Sequence, residues 1–187
     1  MNMETVAEFS NADPSETVES VDTAKGSSIG LPKEPSKSSR PAVLVVDDDP
    51  TLLMLAGIHA GRVFPDYDII EAQNAETAIE ALSGVMGKSI AAILSDIVMP
   101  GLSGIELARV LRGEAVKGVR LEPNIVKKLR DVPVVLHTSC PAIVDPSTQE
   151  GARAAELVRS RVVQGVLKKG FPNPALFSHL ARERRAI

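Results

Sequence analysis

The sequence predicts an α/β domain: a doubly wound parallel sheet of five strands in the order 2-1-3-4-5, beginning near Pro41. Two observations predict it. From Pro41 onward, short continuous apolar runs alternate with longer stretches whose apolar residues recur at helical spacing. Unbroken apolar strands set between amphipathic helices belong to sheets covered on both faces. The apolar runs also end on polar or charged residues, and in such sheets the working site lies beyond the carboxyl ends of the strands, where the order reverses.

The elements follow in turn. "AVLVV" (42–46) is the first strand. "PTLLMLAGIHAGRVF" (50–64) is a helix with Pro50 in its first turn, where a missing N–H leaves no bond unmade. Asp49, just before it, reads as its N-cap. "YDIIEA" (67–72) is the second strand, and Asn74 caps the helix "AETAIEALSGVM" (75–86), whose apolar residues fall at 75, 78, 79, 82 and 86. "AAIL" (91–94) is the third strand and "GIELARVLR" (104–112) the third helix. "VPVVLH" (132–137) is the fourth strand, "TQEGARAAELVRSRV" (148–162) a helix, "GVLK" (165–168) the fifth strand and "PALFSHLARERR" (174–185) the closing helix.

Residues 1–40 are of another kind. They are rich in Ser, Thr, Glu, Pro and Lys, without apolar periodicity, and such a composition cannot bury enough surface to offset the entropy of ordering. The expectation is a flexible tail followed by one domain over 41–187. The tail carries seven acidic and four basic residues, so the whole net charge of −3 lies in it. A chain without basic excess favours neither nucleic acid nor an anionic membrane. No apolar run is long enough to span a bilayer, the first twenty residues lack an apolar signal core, and a single cysteine, Cys140, excludes an internal disulfide framework. A cytoplasmic protein is expected.

The strand ends carry the chemistry. Asp47, Asp48 and Asp49 follow the first strand, Asp96 the third, Thr138 and Ser139 the fourth, and Lys168 and Lys169 the fifth. Clustered carboxylates repel and take up protons unless a cation neutralises them. A few hard oxygen ligands with open positions suit Mg²⁺, which keeps several waters. A lysine amine and a threonine hydroxyl at the same edge serve an incoming phosphoryl oxygen. The set describes a phosphoryl-transfer site, where positioning and charge neutralisation do most of the work.

"VLVVDDDP", "ILSDIVMPGLSGIEL", "VPVVLHTS" and "GVLKKGF" resemble, in order, the four signature segments of the response-regulator receiver domain of two-component signalling, a flavodoxin-like fold. The resemblance implies that Asp96 is the phosphoacceptor, served by a histidine kinase or phosphotransfer protein. It makes Asp47 and Asp48 the acidic Mg²⁺ pair and Val98 the backbone carbonyl ligand. Thr138 becomes the switch hydroxyl and Lys169 the phosphate-pairing lysine. It also implies signalling to a downstream target by protein contact. Ending at a fifth helix, the chain is expected to act without its own output domain. Three departures stand out. Gly170 occupies the place where the family has a proline after a cis peptide, and a cis bond before a non-proline costs about 3 kcal/mol, so a trans or rearranged loop is expected. Val166 stands where the family's switch aromatic would be. Two intervals, 113–131 and 140–152, look long and enlarge the faces around the fourth strand.

Plainer readings compete at several residues. Lys168 alternates with Lys169, and the register favours Lys169 for the site. His137 reads as a strand-end side chain; His59 and His179 lie in helices, and none has a second His or Cys at metal-ligand spacing. Cys140 reads as an ordinary thiol, and "ARERR" as a solvated helix end. Among functions, the alternative is a degenerate receiver that binds protein without phosphate. A haloacid-dehalogenase-type phosphatase needs a second Asp two residues after the nucleophile, where Val98 stands. A flavodoxin-type FMN site needs a neutral, hydroxyl-rich first loop, where "DDD" stands.

Overall fold

Five parallel strands form a single sheet: β1 (Ala42–Val46), β2 (Asp68–Ala72), β3 (Ile90–Asp96), β4 (Val134–Thr138) and β5 (Gly165–Lys168), in the order β2-β1-β3-β4-β5. The computed structural model describes residues 40–84 and 88–170. The chain divides into two units, Met1–Ser36 and Lys37–Ile187, and every described residue falls in the second. The expected tail and the expected closing helix over 174–185 lie outside the described residues. Among the described residues no helix is long and apolar enough to cross a membrane.

Side-chain alternation along the strands makes two cores. Leu44, Val46, Ile93, Val134 and Leu136 face one side, against Ala75, Ala78 and Leu82 of helix α2 (Ala75–Gly84) and Leu107, Ala108 and Leu111 of helix α3 (Gly104–Leu111). Val43, Val45, Leu94 and Val135 face the other, against Leu53, Ala56 and Ala60 of helix α1 (Pro50–Val63). β1, β3 and β4 are buried along most of their length, which is why they read as continuous apolar runs, while the edge strands β2 and β5 are only partly buried.

The predicted caps form. Asp49 Oδ1 accepts from the N–H groups of Thr51 and Leu52, and Asn74 Oδ1 accepts from Thr77 N–H at 2.8 Å. Ser103 and Glu106 close a reciprocal capping box at the start of α3. That helix begins at a glycine for a steric reason: a Cβ on Gly104 would lie 1.9 Å from the Asp96 carbonyl oxygen. The close approach packs α3 against the end of β3.

The expectation of five helices needs correction. The described residues hold six, two of them in the long intervals. Helix α4 (Pro123–Leu129) arises within 113–131 and helix α5 (Pro141–Val144) within 140–152; α6 (Gln149–Arg159) is the expected helix, capped by Thr148. The first interval opens with a tight turn between Val116 and Val119, with Lys117 and Gly118 at φ of 49° and 80°. Lys117 Nζ reaches back to the Gly101 carbonyl and to Glu106 Oε2, each at 3.1 Å. The Arg112 guanidinium donates to the carbonyls of Leu129 and Val132, each at 3.0 Å, and so satisfies carbonyls at the end of α4. The added helix is tied at both ends to the sheet-covering layer.

Candidate functional site

The strand alternation decides which polar groups meet. Asp47 continues the register of Val43 and Val45, Asp96 that of Leu94, His137 that of Val135 and Lys169 that of Leu167. All four side chains therefore belong to the α1 side of the sheet, at the carboxyl ends of β1, β3, β4 and β5. Asp47 and His137 are 0% exposed and Asp96 is 5% exposed. Lys169 is held at the mouth by its N–H, which donates to the Thr138 carbonyl at 2.7 Å.

Lys169 Nζ lies 2.7 Å from Asp96 Oδ2 and 2.9 Å from Asp47 Oδ2. Gly170 does not withdraw the lysine from the pocket, and Lys168 is exposed at the edge, as its alternation with Lys169 requires. The other oxygens are held by backbone. Asp47 Oδ1 accepts from Asp49 N–H at 3.1 Å, and Asp96 Oδ1 accepts from Ile97 N–H at 2.7 Å and, more weakly, from Val98 N–H at 3.4 Å. Ligand oxygens of Asp47, Asp48 and Asp96 all lie within 4.8 Å of one another, with Asp48 exposed at the rim. Three hard carboxylates around one open point fit a small oxygen-seeking divalent cation.

The electrostatics are those of a strained cluster. Burial raises the Asp47 pKa above the usual carboxylate range, and the nearby Asp96 adds to this; Lys169 and the Asp49 N–H only partly offset it. Burial works against the Lys169 charge as well, but the bonds and charges of Asp96 and Asp47 outweigh it, and its pKa lies above that of an ordinary lysine. His137 is lowered to about 4, first by burial and then by the Lys169 charge, against opposing effects of Asp96 and the Val46 backbone. Its imidazole is therefore neutral near pH 7.

Thr138 is placed differently. It shares the register of Leu136, on the opposite side from the carboxylates, and its Oγ1 accepts from Cys140 N–H at 3.1 Å. Val98 is 63% exposed and Cys140 is exposed. His137 is the site residue that sequence reasoning passed over. It was readable: two residues after Val135, it must face the same way as Asp96 beside it in the sheet.

A doubly wound parallel sheet with a lysine-bridged carboxylate cluster at its switch point is the fold and site of a receiver-type domain. Residues 43–121 match the response regulator receiver domain family, and the chain carries a receiver domain of that family. The matched span takes in Asp47, Asp48 and Asp96 and stops before Thr138 and Lys169. The chain is 39% identical over 83 residues to the transcriptional regulatory protein AruR of Pseudomonas aeruginosa, covering 43% of this chain and 33% of that protein. The match spans about a third of the length of the curated relatives. The fold is similar to the signal receiver domain of an HD domain-containing protein from Pseudomonas fluorescens Pf-5, with TM-score 0.54, 16% identity, and 79% and 96% of the two chains covered. It is also similar to the chemotaxis response regulator CheY4 of Vibrio cholerae, with TM-score 0.51, 23% identity, and 77% and 98% covered. Receiver domains are signalling modules rather than conventional enzymes, and the family typically binds Mg²⁺ at its acidic site.

Proposed function

We propose that the receiver domain, taken as residues 41–187, accepts a phosphoryl group on Asp96 from a phosphohistidine of a histidine kinase or phosphotransfer protein. It then signals to a downstream protein by direct contact. The observation that carries this reading is Lys169 Nζ set between Asp96 and Asp47, at 2.7 and 2.9 Å. A carboxylate oxygen of Asp96 bonds to phosphorus as the phosphorus–nitrogen bond breaks, and the imidazole nitrogen keeps the electron pair. Lys169 already stands beside the acceptor and turns its charge to a phosphoryl oxygen. The N–H groups of Ile97 and Val98 hold the carboxylate in place. Asp47, Asp48 and Asp96, with the Val98 carbonyl, would hold Mg²⁺, which when bound neutralises charge on the phosphoryl oxygens. Thr138 would leave its bond to Cys140 N–H to meet the phosphoryl group.

The test is intact-mass measurement after incubation of the full chain with a small phosphodonor. One added phosphoryl group is expected with Mg²⁺, and none after chelation. A second reading, a phosphate-independent binding module, is favoured by Val166 in place of an aromatic and by the inward bond of Thr138. No label under any Mg²⁺ concentration would select it.

The lifetime of the phosphorylated state is a further expectation. Hydrolysis needs a water placed in line with phosphorus. By resemblance to receiver domains, the side chains two residues after Asp96 and Thr138 flank that approach; here they are Val98 and Cys140, and neither orients a water as an amide or carboxylate does. One missing positioning contact is worth about 1–3 kcal/mol, on the order of tenfold to a hundredfold in rate. Decay followed by intact mass is expected to be slow, and Val98→Asn with Cys140→Glu to speed it by such a factor. Wild-type decay within seconds would contradict this.

A further inference from the structure

A fully buried imidazole stands among apolar neighbours that would be cheaper in its place. Val45, Leu94 and Val135 share its side of the sheet and are 0% exposed, as His137 is. Neither ring nitrogen has a hydrogen bond of normal geometry; Asp47 Oδ2 has no aligned one either, and is met by the Lys169 ammonium as an ion pair at 2.9 Å. Buried polar groups left unpaired in a native fold are few and call for an explanation. Two of these atoms are neighbours: His137 Nε2 lies 3.5 Å from Asp47 Oδ2, a few tenths of an ångström beyond an N–H···O bond.

The Asp47 carboxylate has a divided claim on its cation. Asp47 Oδ1 is taken by Asp49 N–H. Its Oδ2 has Lys169 at 2.9 Å, but Lys169 is closer to Asp96, at 2.7 Å. Once Lys169 turns to a phosphoryl oxygen, Asp47 Oδ2 has one polar side-chain neighbour left, the imidazole behind it.

We propose that His137 is a positioning residue for Asp47, donating from Nε2 to keep that carboxylate turned toward Asp48 and Asp96 when Lys169 is drawn to phosphate. This rests on the reading of the site under Proposed function. It adds to that reading a residue outside the acidic pair, the acceptor and the lysine. Partners that hold a metal-ligating group from behind typically govern about tenfold to a hundredfold of metal affinity.

The experiment compares wild type, His137→Val and His137→Gln as full chains. Valine matches the neighbouring strand residues, while the glutamine Nε2 amide can replace the donor. Two quantities are read: Mg²⁺ affinity by titration, and the melting temperature of the metal-free protein. The expected result is that His137→Val weakens Mg²⁺ at least about tenfold. Its metal-free melting temperature should stay equal or rise by about 2–4 °C, because two unpaired buried nitrogens are gone. His137→Gln should recover most of the affinity. Mg²⁺ affinity within about twofold of wild type in His137→Val overturns the proposal. So does a loss of melting temperature together with affinity that glutamine does not restore, which marks a packing role. If wild type itself binds no Mg²⁺, the reading of the site fails first and this proposal with it. Normal wild-type binding with an indifferent valine variant sinks the proposal alone.

Discussion

Asp96→Asn is expected to take up no phosphoryl group under conditions that label wild type fully, a loss on the order of a hundredfold or more in rate. The substitution keeps the shape of the side chain and removes its nucleophilic charge. It also removes one of the two carboxylates competing for Lys169, so the variant keeps its fold; circular dichroism should be unchanged. The loss is then chemical. Asp47 is the nearest rival acceptor, but Oδ1 is held by Asp49 N–H and the group is fully buried, so it has no approach for a donor. Asp48 is exposed at the rim, and Lys169 makes its ion pairs with Asp96 and Asp47 instead. Intact mass followed by peptide mapping measures the outcome. Label surviving in Asp96→Asn, on either aspartate, would overturn the assignment of the acceptor.

Asp47→Asn is expected to make the metal-free protein more stable near pH 7, by about 1–3 kcal/mol, while abolishing its response to Mg²⁺. Burial raises the Asp47 pKa in the fold above its ordinary value of 3.8. A carboxyl shifted in that direction lends its full stability below the ordinary value and loses it as pH rises through the folded-state value. Stability of the metal-free wild type should therefore fall from about pH 4 toward neutrality, and asparagine removes that slope. Lys169 keeps Asp96 as a partner, so the substitution strands no cation. Urea denaturation in chelator across pH 4–7 reads the difference, and it should narrow toward the acid end. A variant less stable than wild type at pH 7 would show that the Asp47–Lys169 contact outweighs the burial of the charge. Adding Mg²⁺ should raise the wild-type melting temperature and leave the variant's unchanged.

The sheet was legible because its inner strands are buried on both faces, so Ala42–Val46 stands out as an unbroken apolar run. The acidic cluster and Lys169 were legible for the same reason: a charge that ends such a run has to be put to use. Helix α4 was not. "PNIVKKL" buries only Ile125 and Leu129, has no side-chain N-cap bond, and is held by Arg112, 17 and 20 residues away from the carbonyls it meets. A seven-residue helix fixed by a distant guanidinium leaves little local pattern. Helix α5, four residues long, leaves less. Thr138 was read as a pocket residue from its place at the end of the fourth strand and then from resemblance; in the fold its Oγ1 accepts from Cys140 N–H. Counting by twos from Val135 would have turned His137 inward, toward Asp47.

The pocket draws one group from each of four strands, and Lys169 meets Asp96 across 73 residues of chain. No single crossover unit brings Lys169 to both Asp96 and Asp47. Parallel pairings of such long range are the slow, late contacts of a folding reaction, because loop closure must come before their reward. Lys169 therefore reaches the two carboxylates only once β5 has paired with β4. On the proposed function, competence to accept phosphate would report that β5 has docked.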